Sequence, residues 1–108
     1  MKDPKKEKNN RKTGENYEQA AGFYLEQHGY QILQYNYRCR IGEIDIVAKE
    51  GENLVFCEVK YRTGPGKGSP LEAVDARKQR KIFQAAMYYL TEHHISDVPC
   101  RFDVIGIE

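Results

Sequence analysis

The 108-residue sequence has no tryptophan, only three cysteines and no apolar run near the roughly 20 residues that a membrane-spanning helix requires. The cysteines, Cys39, Cys57 and Cys100, are odd in number and far apart, without a C-x-x-C pair or a histidine at zinc-ligand spacing. We therefore expect neither a disulfide framework nor a structural zinc site. The N-terminus is basic but lacks the apolar stretch of a secretory signal, which predicts a cytoplasmic protein with no membrane partner.

A large net charge is also lacking, since the formal value is only +1, but the charges are unevenly distributed. Residues 1–12 and 61–84 each contain six Lys or Arg against two Asp or Glu, a net +4 in each segment. Such a separation is expected if one face meets phosphate while another stays solvated. An ordinary solvated surface is the alternative, because lysine-rich segments often serve solubility alone. The candidate phosphate contacts are Arg62, Arg77, Lys78, Arg80 and Lys81.

Apolar periodicity predicts one domain over residues 14–108, preceded by a flexible basic tail over residues 1–13 that has too few apolar side chains to fold. Helical spacing from Tyr17 to Leu25 predicts a first helix over about 15–28, which Gly29 would end. Three strands should follow, at about 30–38, 41–49 and 54–62, and the sequence EGEN predicts a tight hairpin between the last two.

A second helix is predicted after the glycine- and proline-rich segment 64–70. Ser69, Pro70 and Glu72 form a helix-start pattern, and the helix would run to about residue 93. Asp75 offers a second capping position, which would split this helical segment. The closing residues read as a strand, parallel to its neighbour because a helical crossover precedes it. The predicted order is α-β-β-β-α-β.

The hairpin brings chemically useful side chains together. If its turn holds two or four residues, Asp45 lies opposite Glu58, with Cβ atoms roughly 5 Å apart on one face of the sheet. Lys60 shares that face because side chains alternate along a strand. The apolar side chains expected on the opposite face are those of Ile44, Ile46, Cys57 and Val59.

Two carboxylates this close repel each other and lose hydration, so the arrangement needs a compensating cation. Their oxygens suit Mg²⁺ (or Mn²⁺), which is typically held by one or two carboxylates, water and substrate phosphate. Such an ion can polarise a phosphodiester, while a neighbouring lysine orients the attacking water or offsets charge on phosphorus. An exposed cross-strand ion pair of little energetic weight is the alternative interpretation.

The same residues carry a resemblance to known nucleases. Asp45, followed by Glu58-Val59-Lys60, resembles the D…(D/E)-x-K core of the restriction-endonuclease-like, or PD-(D/E)xK, superfamily. In that superfamily a proline often precedes the first motif acid, and this sequence has Ile44 there instead. More closely, residues 14–107 are similar to the small bacterial YraN-like family. The shared features include GEID, FCEVKYR, RFDVI, Gly29-Tyr30, Asn36, Ser69-Pro70 and Lys78.

The resemblance implies an α/β, restriction-endonuclease-like fold, with a central mixed sheet and flanking helices, related to archaeal Holliday-junction resolvases. It implies that Asp45 and Glu58 bind metal, that Lys60 assists catalysis and that Glu18, an acid of the first helix, completes the site. The expected activity is that of a Mg²⁺-dependent endonuclease or exonuclease acting on nucleic acid, above all DNA, with branched junctions as a candidate substrate. A homodimer would suit symmetric cleavage of two strands.

Two other function classes remain open on the sequence. One is a nucleic-acid-binding module that keeps the fold without turnover. The other is a non-enzymatic interaction domain whose acids are only surface charge.

Overall fold

The computed structural model describes residues 17–61 and 75–107, which form a four-stranded sheet and two helices. Helix α1 covers 17–27, within the described part of the chain. The other elements are β1 (Gln31–Arg38), β2 (Glu43–Glu50), β3 (Asn53–Tyr61), α2 (Ala76–Glu92) and β4 (Cys100–Ile107). The predicted tail over residues 1–13, the helix start at Ser69-Pro70 and the candidate phosphate contact Arg62 lie outside the described residues.

The strands lie in the order β1-β2-β3-β4 across the sheet. β2 is antiparallel to both β1 and β3, whereas β4 is parallel to β3. The expectation of a mixed sheet is confirmed, and the crossover through α2 explains why β4 is parallel. Neither helix of the described part is long and apolar enough to cross a membrane.

Both faces of the central strands are buried, each under one helix. The face under α2 contributes Ile44, Val47, Leu54 and Phe56, which pack with Ile82, Ala85, Ala86 and Tyr89 of that helix. The face under α1 contributes Ile46, Ala48, Val55 and Cys57, which pack with Ala21 and Leu25. This double coverage explains why residues 46–48 of β2 and 54–57 of β3 are apolar without alternation.

The hairpin between β2 and β3 has a two-residue turn at Gly51 and Glu52. Glu50 pairs with Asn53 across the turn. Gly51 has φ of 57°, a left-handed conformation that glycine adopts at little steric cost. The register is the one predicted for a short turn, and it continues to the pair Ile46 and Cys57.

The sheet departs from the predicted alternation of side chains at Ile44. Ile46 packs under α1, but Ile44, only two residues away, packs under α2. The prediction that both point to one face is therefore wrong. Tyr37 pairs with Ile44 and packs in the same cluster, and its neighbour Asn36 has a left-handed φ of 54°. A left-handed residue within a strand changes the face on which the next side chain lies, and Asp45 occupies the matching position on β2.

Helix α1 approaches the sheet closely at Gly22. A Cβ atom at this position would meet the hydroxyl oxygen of Tyr35 on β1, so any other residue here would require the Tyr35 side chain to move. Gly22 lies one helical turn after Glu18, and this contact therefore helps to set the position of Glu18 above the sheet.

Candidate functional site

Glu58 on β3 is a buried charged side chain, only 5% exposed. Its Oε1 atom lies 2.6 Å from Nζ of Lys78 and 3.5 Å from Nζ of Lys60. Lys60 follows two residues later on the same strand, whereas Lys78 reaches across from α2. A buried carboxylate without a counter-charge would be strongly destabilising, and these two ammonium groups supply that charge.

The start of α2 positions Lys78. Asp75 is the N-cap residue, and its side chain accepts a hydrogen bond of 2.8 Å from the backbone N–H of Lys78. Lys78 also lies one turn before Ile82, the first buried residue of the helix, and residues four apart share a helix face. This spacing is the sequence signal that could have placed Lys78 at the sheet rather than only among the phosphate contacts.

Asp45 lies near the start of β2 and is half-buried. Its Oδ2 atom accepts a hydrogen bond of 2.8 Å from the backbone N–H of Val59. Burial is the main cause that raises the pKa of Asp45 to about 7, and the hydrogen bond from Val59 opposes it. The negative charges of Glu58, Glu18 and Glu43 raise this pKa further. Asp45 is thus the half-buried acid whose pKa responds to the charges of three other acids, on β2, β3 and α1.

The other two acids differ in their surroundings. Glu18, on α1, is half-buried, and its charge raises the pKa values of both Asp45 and Tyr35. Glu43 is exposed and forms an ion pair with Arg38, with 3.2 Å between Oε2 and Nε. Glu18 and Glu43 therefore both act on the pKa of Asp45, and Glu43 also forms an ion pair at the surface. The role of Glu18 in completing the site stays a prediction.

The two lysines differ in how firmly each holds its proton. The side chain of Lys78 is the main cause that lowers the pKa of Lys60, and burial adds to it. For Lys78, burial lowers the pKa, but the contacts with Glu58 and Lys60 outweigh it and the net shift is upward. Lys78 therefore holds its proton more firmly than an ordinary lysine, and Lys60 holds its proton less firmly.

The remaining predicted basic residues are dispersed over α2. Arg77, Arg80 and Lys81 are exposed. Lys81 packs near Gly42 at the start of β2, where a Cβ atom would be 3.8 Å from that of Lys81. Arg80 instead lines an apolar groove of about 540 Å³ between α2 and β4, away from the carboxylates. Only part of the basic helix therefore lies beside the acidic residues.

The donor atoms of this site suit a hard divalent cation. Asp45 and Glu58 offer carboxylate oxygens from neighbouring central strands. Within residues 17–61 and 75–107, no three His, Cys, Asp or Glu side chains are grouped closely enough to hold a metal ion by themselves. A cation here would rely on one or two carboxylates plus water and phosphate, as Mg²⁺ typically does, and would share Glu58 with Lys78.

Two tyrosines that adjoin Glu18 and Lys60 in sequence form a stacked pair. The ring centroids of Tyr17 on α1 and Tyr61 at the end of β3 are 4.2 Å apart, with an interplanar angle of 10°. The sequence does not predict this pair, because the contact joins residues far apart in the chain and depends on how α1 packs on the sheet.

The family model and the relatives that match this chain all carry the same family name. The family model described as "Uncharacterised protein family UPF0102" matches residues 17–107. A UPF0102 protein of Lachnoclostridium phytofermentans is 56% identical over 89 residues, covering 82% of this chain and 75% of the relative. Those of Moorella thermoacetica and Geobacter metallireducens are 45% and 49% identical over 97 and 98 residues. These two alignments cover 90% and 91% of this chain and 81% and 80% of the relatives.

Proposed function

We propose that this chain, which belongs to the uncharacterised protein family UPF0102, is a metal-dependent nuclease that hydrolyses phosphodiester bonds of nucleic acid. The observation that supports the proposal is the convergence of Asp45, the buried Glu58 and Lys60 at one end of the central strands. A domain that used these acids only as surface charge would not need to bury a carboxylate, because burial makes the charge unfavourable.

The proposal includes a restriction-endonuclease-like fold. It is supported by a four-stranded mixed sheet with a helix on each face and by acids on the two central antiparallel strands. The relation to Holliday-junction resolvases that the sequence resemblance implies makes branched DNA the first substrate to test.

Each residue of the site would have a distinct role in the reaction. Asp45 and Glu58 would hold Mg²⁺ or Mn²⁺, which when bound supplies polarisation of the phosphodiester and activation of water. Glu18 adds negative charge next to Asp45, which favours binding of a cation. Lys60, an ammonium group beside Glu58, positions the attacking water or offsets the charge that develops on phosphorus. Lys78 stays protonated and offsets the charge of Glu58 throughout.

Phosphate groups away from the reacting bond would meet the exposed cations of α2. Arg77 and Lys81 are exposed beside the half-buried Lys78 on this helix. Their charges add sequence-independent affinity for nucleic acid. DNA in the cytoplasm is the expected partner and substrate, and a homodimer would allow two strands to be cut symmetrically.

The decisive experiment is a cleavage assay with purified protein. Single-stranded, duplex, flapped and four-way-junction DNA, and RNA, are incubated with Mg²⁺, Mn²⁺ or a chelator, together with variants Asp45→Asn and Lys60→Ala. The proposal requires metal-dependent cleavage that both variants lose. Glu52→Gln is the matched control, because it removes an exposed acid at the turn between β2 and β3 and should keep the activity. Cleavage that survives in Asp45→Asn would overturn the assignment of the site.

One observation favours a second function, a nucleic-acid-binding module without turnover. Lys78 is only 2.6 Å from Glu58, so a protein cation already neutralises one of the two proposed metal ligands. In that case oligonucleotide binding would not depend on divalent metal, and no substrate would be cut under any of the conditions above.

A further inference from the structure

We propose that the stacked tyrosines Tyr17 and Tyr61, which adjoin Glu18 and Lys60 in sequence, form a platform for an unpaired nucleobase at the end of β3. The substrate would then be a nucleic acid with a single-stranded or splayed nucleotide at the reacting position, rather than a fully paired duplex. This inference rests on the proposed nuclease function and specifies its substrate class.

Stacking covers one face of each ring and holds the ring of Tyr61 in orientation, while Tyr61 stays partly open to solvent. The two rings are nearly parallel, at 10°, with centroids 4.2 Å apart. A side-chain hydrogen bond with Tyr61 raises the pKa of Tyr17, so the phenol groups also interact. Tyr61 is 46% exposed although it ends a strand whose preceding residues are mostly buried. An aromatic ring that is held in orientation and still open to solvent loses little conformational freedom when a ligand stacks on it.

The position of the pair ties it to the chemistry of the site. Tyr17 directly precedes Glu18 on α1, and Tyr61 directly follows Lys60 on β3. Neighbouring side chains of a strand point to opposite faces. Lys60 accordingly meets Glu58 on the face under α2, while Tyr61 meets Tyr17 of α1 on the other face.

A nucleotide has an anionic phosphate at one end, which suits the charged side chains around Lys60, and a flat base at the other, which suits the tyrosine pair. With its phosphate beside Lys60 and the carboxylates, its base can reach the tyrosines at the end of β3 only if that base is unstacked from its neighbours. Bases within a duplex stack on one another and offer proteins mainly phosphates and groove edges. Unpaired bases, in contrast, commonly stack on tyrosine, with little dependence on their identity.

The test measures binding apart from cleavage. Fluorescence anisotropy with a labelled single-stranded oligonucleotide, and with a duplex of the same length, is recorded in chelator for the wild type and for Tyr61→Leu and Tyr61→Phe. Tyr24→Leu is the matched control, because Tyr24 is 54% exposed and in an aromatic contact with His28, two turns along α1 from Tyr17. We expect Tyr61→Leu to weaken single-strand binding roughly ten-fold and Tyr61→Phe to keep it. Duplex binding and the Tyr24→Leu variant should be little changed.

A second measurement uses only the wild-type protein, so it holds even if Tyr61→Leu fails to fold. One base of the oligonucleotide is replaced in turn by an abasic site or by the fluorescent base 2-aminopurine. One position should lose affinity when abasic and show quenched 2-aminopurine fluorescence on binding. The platform would be overturned if the wild type cleaves nucleic acid but no base position responds in this way. It would also be overturned if Tyr61→Leu binds the single strand as tightly as the wild type does. Either result leaves the nuclease function standing. Failure of the wild type to bind any nucleic acid would overturn both.

Discussion

The ammonium nitrogen of Lys78 lies 2.6 Å from Oε1 of Glu58, nearer than that of Lys60 at 3.5 Å. This contact joins the first turn of α2 to the end of β3, and it connects the stability of the fold to the site. Glu58 is both the buried charge that needs a partner and the proposed metal ligand, so a cation and Lys78 act on the same carboxylate.

Lys78→Met should destabilise the metal-free protein by about 2 kcal/mol, because it leaves Glu58 with the more distant Lys60 alone. Urea denaturation measures this change. Lys81→Met, an exposed lysine of the same helix, serves as the control and should change the free energy of unfolding by no more than about 0.5 kcal/mol. Equal effects of the two substitutions would show that the Glu58 contact contributes no stability.

The raised pKa of Asp45 predicts a pH dependence of stability. The pKa is about 7 in the folded state and has its ordinary value of 3.8 when unfolded. Between these values the folded protein keeps a proton that the unfolded chain has lost, so the free energy of unfolding falls as pH rises and levels off above about 7. The fall should be on the order of 1 to 3 kcal/mol. Asp45→Asn should lack this part of the slope, and wild-type and variant curves that run parallel would contradict it.

Divalent metal should reverse the effect of Asp45 on stability. In chelator at neutral pH, Asp45→Asn should melt at a higher temperature than the wild type, because it removes a charge that burial and neighbouring acids disfavour. Addition of Mg²⁺ at about ten times its Kd should stabilise the wild type by roughly 1.4 kcal/mol and leave Asp45→Asn unchanged. A surface ion pair predicts the opposite, with no response to metal and a variant equal to or below the wild type.

The exposed cations of α2 should contribute phosphate contacts that can be counted. Lys81→Glu should weaken nucleic-acid binding and reduce the slope of log K against log salt concentration by about one. Lys49→Glu makes the same charge change on an exposed residue at the far end of β2 and should leave that slope unchanged. An unchanged slope for Lys81→Glu would exclude this part of α2 from the phosphate-binding face.

The left-handed conformation of Asn36 predicts an unusual order among its substitutions. With φ of 54°, Asn36→Gly should keep the free energy of unfolding within about 0.5 kcal/mol, whereas Asn36→Ala should lose about 1 to 2 kcal/mol. Urea denaturation of both variants measures the difference. If the alanine variant were as stable as the glycine variant, the change of face between Ile46 and Ile44 would not depend on this residue.

Much of the candidate site could be predicted because it is local. The sequence EGEN predicts a short turn, and the two-residue side-chain period then fixes which residues of β2 and β3 are paired. Glu58 and Lys60 follow from that geometry. The reversal at Ile44 was not predictable in the same way, because asparagine adopts many backbone conformations and only the packed sheet selects the left-handed one at Asn36.

The sequence by itself determined the element types, the hairpin register and the spacing of the acids and Lys60, since these depend on propensities and periods that act within a few residues. Only the tertiary structure decided that Lys78 reaches Glu58 and that Tyr17 stacks on Tyr61. Both contacts join a helix to a strand distant in sequence. Where a helix lies on a sheet depends on the shape of two packed surfaces, such as Gly22 against Tyr35, and a pattern along one segment carries no information about the other.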